Sequence, residues 1–201
     1  MPEWFAQNWI VMTPLAVCSV AGLAIILDRV WALRRKGIIS AALAEAIEQQ
    51  PMSHEQLEKV RQLSQRDKTV LGQLVQVSFA HASLHKSENV EAMQSAARQI
   101  LGKLERGLTT LALIAELGPL LGLLGTVIGM VHLFNDVAAK GLGEPAQISR
   151  GIYMALTATM VGLGIAIPAL SAYMFFRRRI ELLVLELERH TNELLTRLYH
   201  R

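Results

Sequence analysis

Apolar positions fall into three long runs, and polar positions fill the stretches between them. Residues 9–27 hold no charged side chain, and a helix needs about 20 such residues to cross about 30 Å of hydrocarbon at about 1.5 Å per residue. The pattern predicts a first membrane helix over 9–31, after a short segment 1–8. Trp4, Phe5 and Trp9 stand at one end and Trp31 at the other as interfacial aromatics. Pro14, near the start, can kink such a helix without breaking it. A second run, LGPLLGLLGTVIGM from Leu117 to Met130, and a third, uncharged over 151–176, predict two more spans. The fold class is therefore all-α and integral to a membrane.

The second span has two possible frames. Taken over 108–134, it puts Glu116 about two turns inside, where an ionisable side chain is costly and functional by default. Taken from Leu117, the run through Phe134 fills the layer by itself and Glu116 marks its edge. Pro119 suits a kink inside the layer as well as a bend at its edge, so both frames stay open.

The polar stretch 32–107 reads as a helical domain. A first segment covers 40–50, and Pro51 and Ser53 restart the chain, with Ser53 and Gln56 at the spacing of a capping box. The second segment runs to about Ser64. Asp67 is the expected cap of a third, in which Val70, Leu71, Leu74, Val77 and Ser78 keep helical spacing, and a further helix from Val90 is expected to run on into the second span. His81 and His85 stand four apart, but no glutamate or third ligand accompanies them, so no metal is expected. Residues 135–150, with Gly141, Gly143 and Pro145, read as a short polar loop. Residues 177–201 read as an amphipathic C-terminal helix with Leu183, Val184, Leu187, Leu194, Leu195 and Leu198 on one face, needing cover from the polar helices or a neighbouring chain.

Within the spans the small residues are patterned. Gly118, Gly122, Gly125 and Gly129 are spaced four, three and four apart, which places them in one stripe of a helix. Each interior glycine costs about 0.5–1 kcal/mol relative to alanine, and close helix approach in a membrane, where small residues drive association, accounts for four of them. Ala155, Thr159, Gly162 and Ala166 make a matching stripe in the third span, and Gly122, Thr126 and Gly129 one in the second. Thr126 and Thr159 are thus single hydroxyls on small-residue faces, suited to an ion pathway where those faces border a cavity; the ordinary alternative is a hydroxyl bonded to its own helix. Thr157 is turned away by about 200°.

Composition agrees with the pattern: of 201 residues 52% are apolar and 18% charged, with a mean hydropathy of +0.32. The net charge of +3 lies at the ends of the apolar runs, as Arg34, Arg35 and Lys36 and as Arg177, Arg178 and Arg179. Such clusters mark the cytoplasmic side, which puts the N-terminus outside and the C-terminus inside and leaves no basic patch for nucleic acid. Cys18 has no partner for a disulfide. No cleavable leader is expected, because Pro2 and Glu3 replace a basic start. No nucleophile with a base and no phosphate loop is recognisable, since the GxxGTxxG run lacks the Lys-Ser/Thr ending, so neither enzyme nor cofactor is expected.

The segment 112–172, with GPLLGLLGTVIGM and then GIYMALTATMVGLGIAIPAL, resembles the MotA/TolQ/ExbB family of bacterial ion-channel subunits. Three spans with the large insertion between the first two resemble its ExbB and TolQ branch; MotA has four. The resemblance implies a homo-oligomeric ring, a pentamer, in the inner membrane. Its partners would be an ExbD- or TolR-like single-span protein bearing a membrane aspartate and a TonB- or TolA-like protein, with proton flow energising outer-membrane transport or envelope maintenance. It further implies that Thr126 and Thr159 line the ion pathway, while the frame over 108–134, not the resemblance, leaves Glu116 open as a third member. Gly122, Gly125, Gly129, Ala155, Gly162 and Ala166 would pack the pore and the partner helices, and Pro119 and Pro168 would be the helix kinks. ExbB-type sequences commonly carry a glutamate three residues after the glycine that opens the third span, where this chain has Met154. Glu116 is not at the matching place, so the resemblance leaves titration to the partner's aspartate. A non-conducting membrane scaffold is the competing class.

Overall fold

The computed structural model describes residues 9–49, 54–141 and 145–199, which are helical with no strand among them. The helices are α1 (Trp9–Ala32), α2 (Arg35–Ile38), α3 (Ala41–Glu48), α4 (His54–Arg66), α5 (Val70–Ala80), α6 (Lys86–Leu104), α7 (Leu108–Lys140) and α8 (Pro145–Tyr199). Three of them, α1, α7 and α8, are long and apolar enough to cross a membrane. The chain forms two compact units: Met1–Asp28 with Gly107–Phe175, and Arg29–Arg106 with Phe176–Arg201. The second is discontinuous in sequence, and α8 contributes to both.

In the first unit α1 lies against α7 and α8. Val11, Met12 and Leu15 are buried with Ala158, and Leu121, Ile128, Val161 and Ile165 pack around them. The polar connection expected over 135–150 is mostly helical: α7 runs to Lys140 and α8 starts at Pro145. Proline without an N–H is at home in a first helical turn, and Gly141, at φ +79° and ψ −173°, takes an extended positive-φ conformation open essentially to glycine where α7 ends. Both α7 and α8 continue through Pro119 and Pro168.

The second unit corrects three details of the sequence reading. Thr69, not Asp67, caps α5, its hydroxyl accepting from Gly72 N at 3.2 Å, while the Asp67 carboxylate accepts from Thr69 N at 2.8 Å. A hydroxyl at the N-cap serves an orphan amide as well as a carboxylate does. The next helix starts at Lys86, because His85 caps it and Glu88 returns to the His85 N–H at 3.1 Å. It does not run on into the second span. The chain breaks at Gly107, φ +83°, a conformation that a Cβ disfavours. His81 and His85 sit on either side of the turn between α5 and α6 rather than on one helix face, and the Ser53 capping box lies outside the described residues.

The amphipathic end of α8 packs on this unit's own helices. Leu183, Leu187, Leu194 and Leu195 are buried, and Leu187 and Leu195 line a groove with Leu74 of α5 and Met93 of α6. Arg197 donates to the Gln49 carbonyl at 2.9 Å and pairs with Glu193, and Arg189 pairs with Glu48. Tyr199 Oη accepts from Asn89 Nδ2 at 3.0 Å and lies 3.1 Å from the Leu84 carbonyl, to which it can donate. Arg29, 8% exposed, donates to the Leu104 carbonyl at 3.0 Å, so a guanidinium meets the carbonyl end of α6.

Candidate functional site

The two small-residue stripes face each other. A Cβ placed on Gly122 would stand 2.9 Å from Thr159 Cα and 3.0 Å from the Ala158 carbonyl oxygen; on Gly118 it would stand 3.0 Å from the Gly162 carbonyl oxygen and 3.1 Å from Ala166 Cβ. On Gly129 it would meet Ala155 Cβ at 2.9 Å, and on Gly125 it would collide with Ala158. These distances are below ordinary van der Waals contact, so only glycine lets α7 and α8 approach this closely. The six small residues expected at a pore or partner face, Gly122, Gly125, Gly129, Ala155, Gly162 and Ala166, are thus in contact or near-contact within one chain. The seam they form is closed, backbone against backbone.

The hydroxyls sit at this seam. Thr159 Oγ1 donates across it to the Gly122 carbonyl at 3.0 Å, and Thr126 Oγ1 donates along its own helix to the Leu123 carbonyl at 2.6 Å. Two residues 33 positions apart are therefore brought to consecutive carbonyls of one turn of α7. Both side chains remain half-exposed. Each has its proton committed to a carbonyl, and its oxygen keeps lone pairs for a donor from outside. Thr157, expected to turn away from that face, is buried at 7% exposure and donates to the Tyr153 carbonyl at 2.7 Å. It bonds four residues back along its own helix, on a face turned away from that of Thr159 as the spacing predicts.

Glu116 is exposed and lies on the side of α7 away from the glycine seam, in the company of Leu113, Leu120 and Leu123, which are likewise exposed. Pro119 is half-buried and Pro168 exposed; Met154 is half-buried on α8 one residue before Ala155.

Comparison with known proteins agrees with this architecture. The chain is 28% identical over 180 residues to a putative biopolymer transport protein ExbB homolog of Methanothermobacter thermautotrophicus, covering 89% of this chain and 63% of that protein. It is 31% identical to biopolymer transport protein exbB1 of Vibrio cholerae over 79% of this chain and 71% of the other. Against the biopolymer transport protein ExbB of Aquifex aeolicus it is 32% identical over 66% of this chain and 92% of the other. It thus spans less than two thirds of the archaeal relative's length and most of the Aquifex one. The MotA/TolQ/ExbB proton channel family matches residues 62–189, more than half of the chain and inclusive of the whole α7–α8 seam. Three membrane-type helices, the closed glycine seam and this match have one reading: the chain belongs to the MotA/TolQ/ExbB proton channel family, in its ExbB-like branch.

Proposed function

We propose that this chain is a proton-conducting subunit of an inner-membrane motor. It assembles as a homo-oligomeric ring around the membrane helices of an ExbD-like single-span protein and couples proton flow, through a TonB-like protein, to transport across the outer membrane. Residues 1–8 and the α7–α8 connection face the periplasm, and 32–107 and 177–201 the cytoplasm, an orientation supported by the Arg34–Lys36 and Arg177–Arg179 clusters. The convergence of Thr126 and Thr159 on the adjoining carbonyls of Gly122 and Leu123 is the observation that carries the reading. Two hydroxyl oxygens, donors already committed, offer acceptor lone pairs at one level of the span, which suits a hydronium ion or the protonated aspartate of the central helices. One proton crossing 100 mV releases about 2.3 kcal/mol for the work.

The test is proton flux in vesicles containing the chain with its single-span partner. Replacing both threonines by valine should leave the complex assembled and lower the flux at least tenfold, whereas serine at both positions should conserve it. Unchanged flux in the valine protein ends the pore role of these hydroxyls. The seam itself supports a second reading, because the small residues are already engaged inside the chain: a complex that assembles and carries no proton current is a scaffold. Slow growth under iron limitation on loss of the gene supports the TonB-linked pathway, and envelope leakage supports a TolQ-like one.

A further inference from the structure

The contacts of α1 with α7 set the level of Glu116 along α1. A Cβ on Gly107 would meet Ile25 at 3.3 Å, a Cβ on Gly22 would meet Ile114 at 3.7 Å, and a Cβ on Gly125 would meet Val11 at 3.3 Å. The two helices are therefore antiparallel in steady register, and α7 reaches the level of Ile25 at Gly107. Interpolating between the Ile114 and Gly125 contacts sets Glu116 opposite the neighbourhood of Val20, near the middle of the uncharged run 9–27. Along α7 it is eight residues, about 12 Å, beyond Leu108. Against α8 the Gly118 contact with Ala166 places it roughly at Pro168, well short of the end of the uncharged run at Phe176. This register supports the frame beginning at Leu108, since the frame beginning at Leu117 would leave nearly half of α1's uncharged run outside the hydrocarbon.

A carboxyl at that depth, with Leu113, Leu120 and Leu123 as its exposed neighbours, is out of place against lipid. Among the described residues, the uncharged runs 9–27 and 151–176 that pack on α7 hold no counter-ion for it. The span of α1 holds only Cys18 as a titratable group and that of α8 only Tyr153 and Tyr173. On α7 itself the nearest ionisable residues are Arg106 and Glu105 before its start and His132 some sixteen residues on; Asp28 and Arg29 stand at the end of α1's run. We infer that the Glu116 face of α7 borders a hydrated path in the assembly, and that Glu116 binds and releases protons on that path, about 15 Å along the helix from Thr126. The step is proton exchange between the carboxylate and hydronium on one side and water on the other, with no other bond made or broken. It adds a chain-borne acid to the route in a subunit that has Met154 where its relatives' pattern implies one.

This inference rests on the proton-channel reading, and two measurements on the complete complex separate the failure of one from the failure of the other. The first is labelling with dicyclohexylcarbodiimide, which adds to protonated carboxyls in apolar surroundings. The wild-type subunit should gain one adduct, mapped to Glu116 by peptide mass, and lose its proton flux as it does so. The second is flux of the Glu116→Gln and Glu116→Asp complexes in vesicles: glutamine should lower it at least tenfold and take no adduct, and aspartate should restore part of it with a displaced pH profile. A conducting wild type that takes no adduct at Glu116, or a glutamine variant with unchanged flux and pH profile, overturns the role of Glu116 and leaves the channel standing. A wild type that labels but carries no current overturns the channel. Should the glutamine variant fail to assemble, labelling of the wild type decides alone.

Discussion

Gly122→Ala is the sharpest probe of the seam, because its effect follows from distances to atoms that cannot swing away. The new methyl would stand 2.9 Å from Thr159 Cα, 3.0 Å from the Ala158 carbonyl oxygen and 3.4 Å from Gly162 Cα. All three are main-chain atoms, so relief comes only by parting the helices. Parting them by about half an ångström forfeits about a quarter of each dispersion contact along the seam. It also stretches the 3.0 Å bond from Thr159 to the Gly122 carbonyl. Overpacking of this kind costs about 1–3 kcal/mol, against a gain of about 0.5–1 kcal/mol in helix propensity. The expected net loss is about 1–2 kcal/mol, roughly a tenfold shift in the folding equilibrium. Gly164→Ala is the internal control: it lies two residues from the seam glycine Gly162, and a methyl there meets nothing within 4 Å. It should be neutral or stabilising by up to about 1 kcal/mol. The assay is reversible unfolding in mixed detergent micelles followed by far-ultraviolet circular dichroism, with all proteins in the same micelle. Equal stabilities for the two variants would refute the claim that main-chain approach at Gly122 sets the α7–α8 distance.

Three more substitutions test other parts of the fold in the same assay. Thr159→Val removes the bond that crosses the seam and should cost about 0.6–1.7 kcal/mol, the range for hydrogen bonds between membrane helices, while Thr126→Val, whose bond stays within α7, should cost less; the reverse order counts against the observed partners. Gly107→Ala forces a side chain into φ +83° beside Ile25 and should cost about 1–2 kcal/mol, with Gly107→Asn milder because asparagine tolerates that region; equal effects would mean the turn relaxes. Tyr199→Phe deletes the hydroxyl that joins Asn89 to the turn after α5 and should cost about 1–2 kcal/mol, seen also as faster amide exchange at residues 81–89; unchanged exchange there would show that the tyrosine does not hold the turn.

The spans and the glycine stripes were legible in sequence because membrane solvation constrains composition over whole helices and close packing constrains it at fixed spacing. Gly118 to Gly129 announced a close approach, and the contacts supplied what approaches: Ala155, Thr159, Gly162 and Ala166 of the same chain. What sequence could not give was the identity of the facing surface, since a stripe of small residues suits a neighbouring chain as well as a neighbouring helix. The ends of helices were read less well, because Asp67 and Thr69 compete for one cap and only geometry selects the hydroxyl. The break at Gly107 was hidden by the helical pattern running on both sides of it. Glu116 remained ambiguous in one dimension for a plain reason: depth in a membrane is a relation between helices, and the register of α7 against α1 at Gly22 and Gly125 is tertiary information.

The discontinuity of the second unit sets a timetable for biosynthesis. Its first stretch ends at Arg106 and its last begins at Phe176, with 69 intervening residues that belong to the other unit. At about 5–20 residues per second, roughly 3–14 s of translation separate the two. Throughout that interval Leu74 and Met93 wait for Leu187 and Leu195, and Asn89 waits for Tyr199. A nascent chain stalled after its second span therefore displays uncovered apolar helices to chaperones and proteases, and the exposure ends only when Leu187, Leu195 and Tyr199 have been made.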